Sequence, residues 1–232
     1  MRILEAPSPN HGPRPEGARV TMLVLHYTGM PDAASALARL RDPAAEVSAH
    51  YVVDEDGTVH RLVAEARRAW HAGRSFWRGE REVNGASIGI EIVNPGHEFG
   101  YRPFPEAQMA SVVALGIDIV ARHAIVPVRV VGHSDVAPER KEDPGELFDW
   151  PRLARAGLGL WPTAGAGDPL DVDAARAALA RIGYDRDAPL EAVLRAFQRR
   201  YRPSRLDGRL DPETARLIDA LARLVDADGR GA

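Results

Sequence analysis

Short apolar runs separated by turn residues predict the strands of this chain. Residues 20–25 are almost entirely apolar, which is typical of a strand covered on both faces. Residues 48–53 and 58–63 flank the turn 54–57, whose Asp56-Gly57 pair predicts a β-hairpin because glycine supplies the positive φ angle. Two more strands are predicted, one at residues 87–94 and one in the apolar run that ends at His133.

Apolar residues spaced three or four positions apart predict the helices. One helix opens at Pro31-Asp32-Ala33 and ends at Asp42-Pro43, and a long amphipathic helix covers residues 105–123. Beyond residue 170 the pattern predicts helices alone, at residues 171–183, 189–201 and 212–226. This order predicts an α/β fold with a mixed central β-sheet flanked by helices, plus a small all-α three-helix C-terminal domain.

A change of composition divides the chain into two parts. Residues 158–169 are rich in glycine, alanine and proline, which is typical of a linker. The sequence therefore predicts a larger α/β domain at residues 1–157, a linker at 158–169 and a three-helix domain at 170–232.

Composition and charge narrow the classes of function. The net charge of −3 over 232 residues gives no positive field that would bind nucleic acid, and no apolar run is long enough to span a membrane. The absence of cysteine excludes disulfides and cysteine-ligated zinc. The first residues contain no apolar segment of signal-peptide length, which favours a cytoplasmic protein. A periplasmic location is the alternative if a leader has been removed, and the pattern predicts no oligomeric state.

Two histidines and an aspartate form the candidate metal site. His26 and His133 each stand where an apolar run ends, and Asp143 follows ten residues after His133 on a loop stiffened by Pro144. Three protein ligands of this kind, with one position left for water, are what a catalytic zinc ion requires. The alternative is that both histidines are strand-end residues that meet solvent.

The other histidines fit a metal site less well. His50 is expected to be a structural residue that lines the cleft, and His71 to edge a substrate groove without binding metal. The remaining four are expected to lie in solvated loops or on a hairpin face, at His11, His60, His97 and His123.

Glu91 and Lys141 are the candidate catalytic side chains. Glu91 interrupts an apolar strand, and Gly89 on the same face leaves room for something to approach it. Beside a zinc ion, Glu91 is suited to act as a general base; the alternative is an ion pair on a strand face. Lys141 precedes Asp143 by two positions, so its ammonium group would point toward the metal and stabilise an oxyanion. It is otherwise a surface lysine in a charged stretch.

Five ordered motifs within residues 20–151 resemble the zinc-dependent type 2 N-acetylmuramoyl-L-alanine amidases. They are Leu-Val-Leu-His-Tyr-Thr, Ser-Ala-His-Tyr-Val-Val-Asp-Glu-Asp-Gly, Ala-Trp-His-Ala-Gly, Ser-Ile-Gly-Ile-Glu-Ile-Val-Asn and the Gly-His-Ser-Asp segment that runs on to Asp143-Pro144-Gly145. The resemblance implies that His26, His133 and Asp143 bind Zn²⁺, that Glu91 is the catalytic base and that Lys141 lies near the oxyanion. Related amidases use a tyrosine at the place of Ala49, so tyrosine-assisted catalysis is not expected here.

The resemblance also implies a substrate class. The family hydrolyses the amide between N-acetylmuramic acid, or its 1,6-anhydro form, and L-alanine, so peptidoglycan fragments (muropeptides) are the expected partners. A binding protein without activity and a zinc peptidase that cuts within the stem peptide are the alternatives. Residues 197–203 and 207–214 resemble a peptidoglycan-binding three-helix module, where the arginines either bind ligand or form a solvated helix end.

Overall fold

A computed structural model describes residues 2–165 and 168–228, and a mixed β-sheet forms its centre. Six strands of the described residues pair in the order β1-β5-β4-β7-β3-β8. They are β1 (Ile3–Glu5), β3 (Met22–Tyr27), β4 (Tyr51–Val53), β5 (Val59–Arg61), β7 (Ser87–Ile92) and β8 (Val130–Gly132), while β2 (His11–Pro13) and β6 (Arg67–Ala69) form a separate antiparallel pair.

The middle of the sheet is parallel. β3 pairs in parallel with β7 and with β8, and β7 pairs in parallel with β4. β4 and β5 form the predicted antiparallel hairpin. Because the carboxyl ends of parallel strands meet at one edge, the side chains that follow β3, β7 and β8 are brought together there.

Nine α-helical segments lie within the described ranges. They are α1 (Ala33–Arg41), α2 (Val83–Ala86), α3 (Gly96–Phe99), α4 (Glu106–His123), α5 (His133–Val136), α6 (Trp150–Arg155), α7 (Val172–Ile182), α8 (Leu190–Tyr201) and α9 (Pro212–Asp228). The α/β class with flanking helices and three C-terminal helices is confirmed. The strand predicted to end at His133 ends at Gly132, and His133 begins the short helix α5. No helix in the described part of the chain is long and apolar enough to cross a lipid bilayer.

The two faces of the sheet are covered by different parts of the chain. Leu23 and Leu25 pack into one apolar cluster with Leu115 and Ile119 of α4. Met22 and Val24 point to the opposite face, where they share a second cluster with the C-terminal helices. That cluster includes Leu194, Phe197, Ile218 and Leu221. The strand predicted at residues 20–25, covered on both faces, is therefore confirmed as β3, which runs from Met22 to Tyr27.

The segment between the sheet and the C-terminal helices is anchored at its start. Leu158 is buried in the cluster around α4, and Trp161 packs against both clusters. Residues 166 and 167 of the predicted linker lie outside the described residues. The division at residues 157 and 170 stays a prediction; the packing itself is continuous across it.

Candidate active site

Three of the predicted side chains converge on one point at the carboxyl edge of the sheet. His26 is the next-to-last residue of β3, His133 begins α5, and Asp143 lies on the loop that follows. The Nδ1 atoms of the two histidines are 2.9 Å apart, and each is within 3.1 Å of Oδ2 of Asp143. All three side chains are buried. The structure thus brings together the residues that the sequence predicts as metal ligands.

The loop that carries Asp143 is held close to α5. The carbonyl of Asp143 accepts a hydrogen bond from the backbone N–H of Ser134, 2.9 Å away. Gly132 makes this approach possible, because a Cβ atom there would lie 2.8 Å from Cδ of Pro144. A glycine directly before His133 therefore lets the two ligand-bearing segments pack against each other.

A chain of hydrogen bonds fixes which nitrogen of His26 carries the proton. The hydroxyl of Ser87 donates to the carbonyl of Val83, so Nε2 of His71 must donate to that hydroxyl, 3.1 Å away. Burial lowers the pKa of His71 well below its ordinary value, so this ring is neutral and its Nδ1 accepts from Nε2 of His26 at 3.0 Å. Nδ1 of His26 is consequently left with a free lone pair.

His133 is oriented in the same way by a different acceptor. Its Nε2 lies 3.1 Å from the carbonyl of Ala72, which can only accept, so Nε2 carries the proton and the lone pair of a neutral ring is on Nδ1. Burial, together with the neighbouring His133, lowers the pKa of His26 to about 4, so the ring of His26 is neutral near pH 7.

This donor set fits a zinc ion. Two imidazole lone pairs and a carboxylate oxygen face one another without a proton to share, and a cation between them satisfies all three. Neutral imidazole nitrogen and carboxylate oxygen are both zinc ligands. In zinc sites the other ring nitrogen of each histidine usually donates to a carbonyl or another acceptor, which orients the ring.

Glu91 lies directly beside the ligand on β3. It is paired in register with His26 across β3 and β7, and it lines the same cleft. Its Oε2 is buried and has no hydrogen-bond partner among the described residues. Burial raises the pKa of Glu91 well above its ordinary value and Asp143 raises it further, whereas Lys141 lowers it. A carboxyl group in this setting can hold a proton and release it to a reacting group.

The space that Gly89 leaves beside Glu91 is filled by a side chain of the protein itself. Gly89 leaves room on that face, but the ring of His71 fills it: a Cβ atom on Gly89 would lie 2.5 Å from the ring. The glycine therefore makes room for the histidine that orients His26. His71 lines the cleft as predicted, but its contact with the ligand could not be read from the sequence.

Lys141 lines the same cleft as Glu91. Its electrostatic effect on Glu91 places the two charges near each other, and its ammonium group has no ion-pair partner among the residues that the structure describes. It is the only lysine among the 30 lysine and arginine residues of the chain. A compact, unpaired ammonium group in this position can stabilise a developing negative charge.

The cleft itself has a volume of about 630 Å³ and is formed by both parts of the chain. Tyr27, Trp70 and His97 line it from the α/β part, and Arg195 and Arg199 line it from α8. The sequence did not indicate these arginines as part of the site. Arg199 and Arg200 are buried, so the alternative of a solvated helix end is wrong for both.

Other histidines have structural contacts. His50 has the expected structural role, since it is buried and its Nδ1 accepts the backbone N–H of Gly89, but it is not among the residues that line the cleft. His97 and His123, which were expected to be solvated, each contact a carboxylate, of Glu146 and Glu65 respectively.

The family model and the similar curated proteins all point to one family. A family model described as N-acetylmuramoyl-L-alanine amidase matches residues 16–146. The chain is 40% identical to N-acetylmuramoyl-L-alanine amidase AmiD of Escherichia coli over 90% of its own length and 85% of that protein. It is 36% identical to 1,6-anhydro-N-acetylmuramyl-L-alanine amidase AmpD of Enterobacter cloacae, over 63% of this chain and 86% of that protein.

Two solved structures extend the similarity to the whole fold. One is AmiD from E. coli in complex with the substrate anhydro-N-acetylmuramic acid-L-Ala-D-γ-Glu-L-Lys, with a TM-score of 0.79, 38% identity, and 91% of this chain and 92% of that chain covered. The other is AmpDh3 from Pseudomonas aeruginosa in complex with anhydromuramic pentapeptide, with a TM-score of 0.82, 35% identity, and coverage of 90% and 94%.

Proposed function

The chain belongs to the N-acetylmuramoyl-L-alanine amidase family and is an amidase, and on this premise we propose its substrate and its metal. The proposed reaction is hydrolysis of the amide between N-acetylmuramic acid, or its 1,6-anhydro form, and L-alanine in muropeptides. The proposed cofactor is one zinc ion held by His26, His133 and Asp143. The observation that carries the proposal is the convergence of two free imidazole lone pairs and a carboxylate beside Glu91.

The relatives support this choice of substrate. The related AmiD and AmpDh3 structures contain anhydromuramic peptides, and both relatives match nine-tenths or more of this chain. The cleft of about 630 Å³ falls within the range of sites for small molecules. Its mixed lining of Glu91, Lys141 and several arginines suits a substrate with a polar sugar and peptide carboxylates.

The residues divide the chemistry between them. Zinc with three protein ligands is a Lewis acid that polarises a carbonyl and activates water. Glu91 takes the proton of the attacking water and, once protonated, delivers it to the amine of the leaving L-alanine. Lys141 donates to the lactyl carbonyl oxygen as its negative charge develops. A general base of this kind typically contributes about 10²–10⁴ in rate.

Two alternatives predict different products. A zinc peptidase would shorten the stem peptide, whereas a binding protein would leave the muropeptide intact. The complete set of three ligands with a carboxylate beside them favours an enzyme over a binding protein.

Mass analysis of a purified anhydromuramyl peptide after incubation with the protein tests the proposal. We expect free anhydro-N-acetylmuramic acid and an intact peptide; a shortened peptide, or no cleavage, would contradict it. Glu91→Gln should retain one equivalent of zinc and lose activity, and Asp143→Ala should lose the zinc itself, as measured by elemental analysis. Glu139→Gln is the control, because Glu139 lines the same cleft without a place in the proposed chemistry.

A further inference from the structure

We propose that the C-terminal module, defined as α7 to α9, is a working part of the metal site, because two arginines of α8 hold the segments that carry His133 and Asp143. Arg200 is the positioning residue for His133, and it acts through Asp135. Arg199 holds the loop around Asp143. This inference rests on the proposed function, since it assigns partners to the proposed zinc ligands.

Arg200 reaches from α8 into the α/β part of the chain. Its Nη1 lies 2.6 Å from Oδ2 of Asp135, and its Nη2 donates to the carbonyl of Val130 at 3.1 Å. Its guanidinium lies over the ring of Trp150, 3.8 Å from the ring centre. Arginine and aspartate are both buried, with 4% and 1% of their side chains exposed. Because both terminal nitrogens have protein partners, Arg200 is not arranged to bind a cell-wall ligand.

Asp135 transmits this contact to the metal ligand. It lies in the same helical turn as His133, and its Oδ2 accepts the backbone N–H of Gly132, the residue directly before the ligand, at 2.8 Å. Its other oxygen accepts the hydroxyl of Tyr184 at 2.9 Å. The module thus supplies two of the three donors that fix Asp135, and Asp135 fixes the start of α5.

Charge makes this arrangement sensitive to the module. Asp135 is buried next to an apolar cluster, and a buried carboxylate is stable only when it is paired and hydrogen-bonded. Without Arg200, the carboxylate would lose its charged partner and would have to move toward water. That movement would shift the turn that carries His133.

Arg199 makes the corresponding contact on the loop of the third ligand. Its Nη2 donates to Oε1 of Glu142 at 3.2 Å, and its Nε lies 3.6 Å from Oε2 of Glu146. These two glutamates stand on either side of Asp143 in the loop. Adjacent arginines of one helix therefore contact both ligand-bearing segments.

The experiment compares the zinc affinity of the full-length protein and its variants, with a chromophoric chelator as the competitor. Arg200→Met keeps the length of the side chain and removes its charge. We expect it to bind Zn²⁺ about 10- to 100-fold more weakly, as is typical when the support of a ligand is lost. The visible spectrum of the Co²⁺-substituted protein should also change, since it reports the geometry of the ligands.

Arg202→Met is the matched control. Arg202 directly follows the same helix, but it pairs with Asp211, Glu213 and Thr214 inside the module. Its loss should lower stability without changing zinc affinity or the Co²⁺ spectrum. If both variants weakened zinc binding in proportion to their loss of stability, the module would be a general stabiliser and the inference would be wrong.

A double variant distinguishes the loss of ligand positioning from the effect of an unpaired buried carboxylate. Arg200→Met with Asp135→Asn removes both members of the ion pair and keeps the protein testable if Arg200→Met alone does not fold. Zinc binding should stay at least about tenfold weaker in the double variant. Full affinity in either variant would overturn the inference. Failure of the unaltered protein to bind zinc would instead overturn the proposed metal site.

Discussion

The direction of each hydrogen bond around His26 follows from one backbone carbonyl. The carbonyl of Val83 can only accept, and this sets the donors and acceptors at Ser87, His71 and His26 in turn. Nδ1 of His26 is therefore ready to bind a cation without a change of tautomer. The tautomer of His26 is therefore set by its hydrogen-bond partners, in addition to its position on the strand.

Replacement of His71 tests this chain of hydrogen bonds. His71→Ala leaves the buried N–H of His26 without an acceptor, and we expect zinc affinity to fall about 10- to 100-fold. His71→Gln should retain more affinity, because its amide oxygen can accept the same N–H. Competition with a chelator measures the effect, with His60→Ala on β5 as the control. Unchanged affinity in His71→Ala would show that His71 does not orient the ligand.

Lys141 offers a chemical test, because no other lysine is present in the chain. Acetylation of amines removes the charge of Lys141 and otherwise modifies only the terminal α-amino group. We expect acetylation to lower kcat about 10²–10³-fold, the range for loss of one oxyanion donor. The control is Lys141→Arg, which has no side-chain amine; its own activity, whatever its level, should be insensitive to the reagent. Equal sensitivity of both proteins would contradict the role of Lys141.

The sequence predicted those site residues that local sequence pattern marks out. His26 and His133 stand at the ends of apolar runs and Asp143 stands on a rigid loop, so local pattern and the family motifs were enough to group them as ligands. The contacts of His71 and Arg200 depend on which distant group faces them, and no local pattern encodes that. The space left by Gly89 was visible in the sequence, but its occupant was not.

Among the elements, α4 is tied to the sheet by a polar contact as well as by its apolar face. Glu65, which follows β5, accepts hydrogen bonds from Tyr51 on β4 and from Arg122 at the end of α4, both at 2.7 Å. His123 contacts its second oxygen at 2.6 Å. Burial alone would raise the pKa of Glu65, but these hydrogen bonds outweigh it and lower the pKa from 4.5 to about 2.

This shift predicts how stability depends on pH. A carboxyl group whose pKa is lower in the folded state stabilises the fold above its unfolded pKa and loses that effect as pH falls through its folded pKa. The contribution of Glu65 should therefore be complete above about pH 5 and disappear toward pH 2, with a size of about 2–3 kcal/mol. Urea unfolding of the parent and Glu65→Gln should show a difference at pH 7 that shrinks in acid. A difference independent of pH would contradict this assignment.

Local sequence pattern predicted the elements themselves but not all of their ends. The hairpin, the helices at residues 105–123 and the three C-terminal helices were predicted because turn residues and apolar spacing are local signals. The apolar run before His133 predicted a strand up to that residue, but the chain turns into α5 one residue earlier. There Asp135 accepts the N–H of Gly132, and the contacts of Asp135 with α8 are not local.

For the whole molecule, the decisive feature is that α4 and the C-terminal module cover opposite faces of one sheet. Met22, Val24 and Val131 lie in a single apolar cluster with the module. The apolar run at residues 20–25 indicated that both faces of the strand are covered. The amphipathic pattern of the C-terminal helices, however, did not predict which surface those helices pack against. The catalytic cleft opens on the side of the sheet that the module covers.

Removal of the module should therefore damage the α/β part. A chain that ends after residue 165 would expose the apolar face of β3 and leave Asp135 without Arg200. We expect it to aggregate or to unfold without cooperativity, as followed by circular dichroism and by binding of a hydrophobic dye. A chain that ends after residue 228 is the control and should unfold like the full protein. Cooperative unfolding and normal zinc binding by the shorter fragment would show two independent domains.

The shared cluster also sets an order of events during synthesis. Met22 leaves the ribosome well before Ile218 and Val225, which lie in the same apolar cluster. The second side of the sheet therefore stays open to water until α7 to α9 have been translated. Until then, a nascent chain has to be kept from associating with its neighbours through β3.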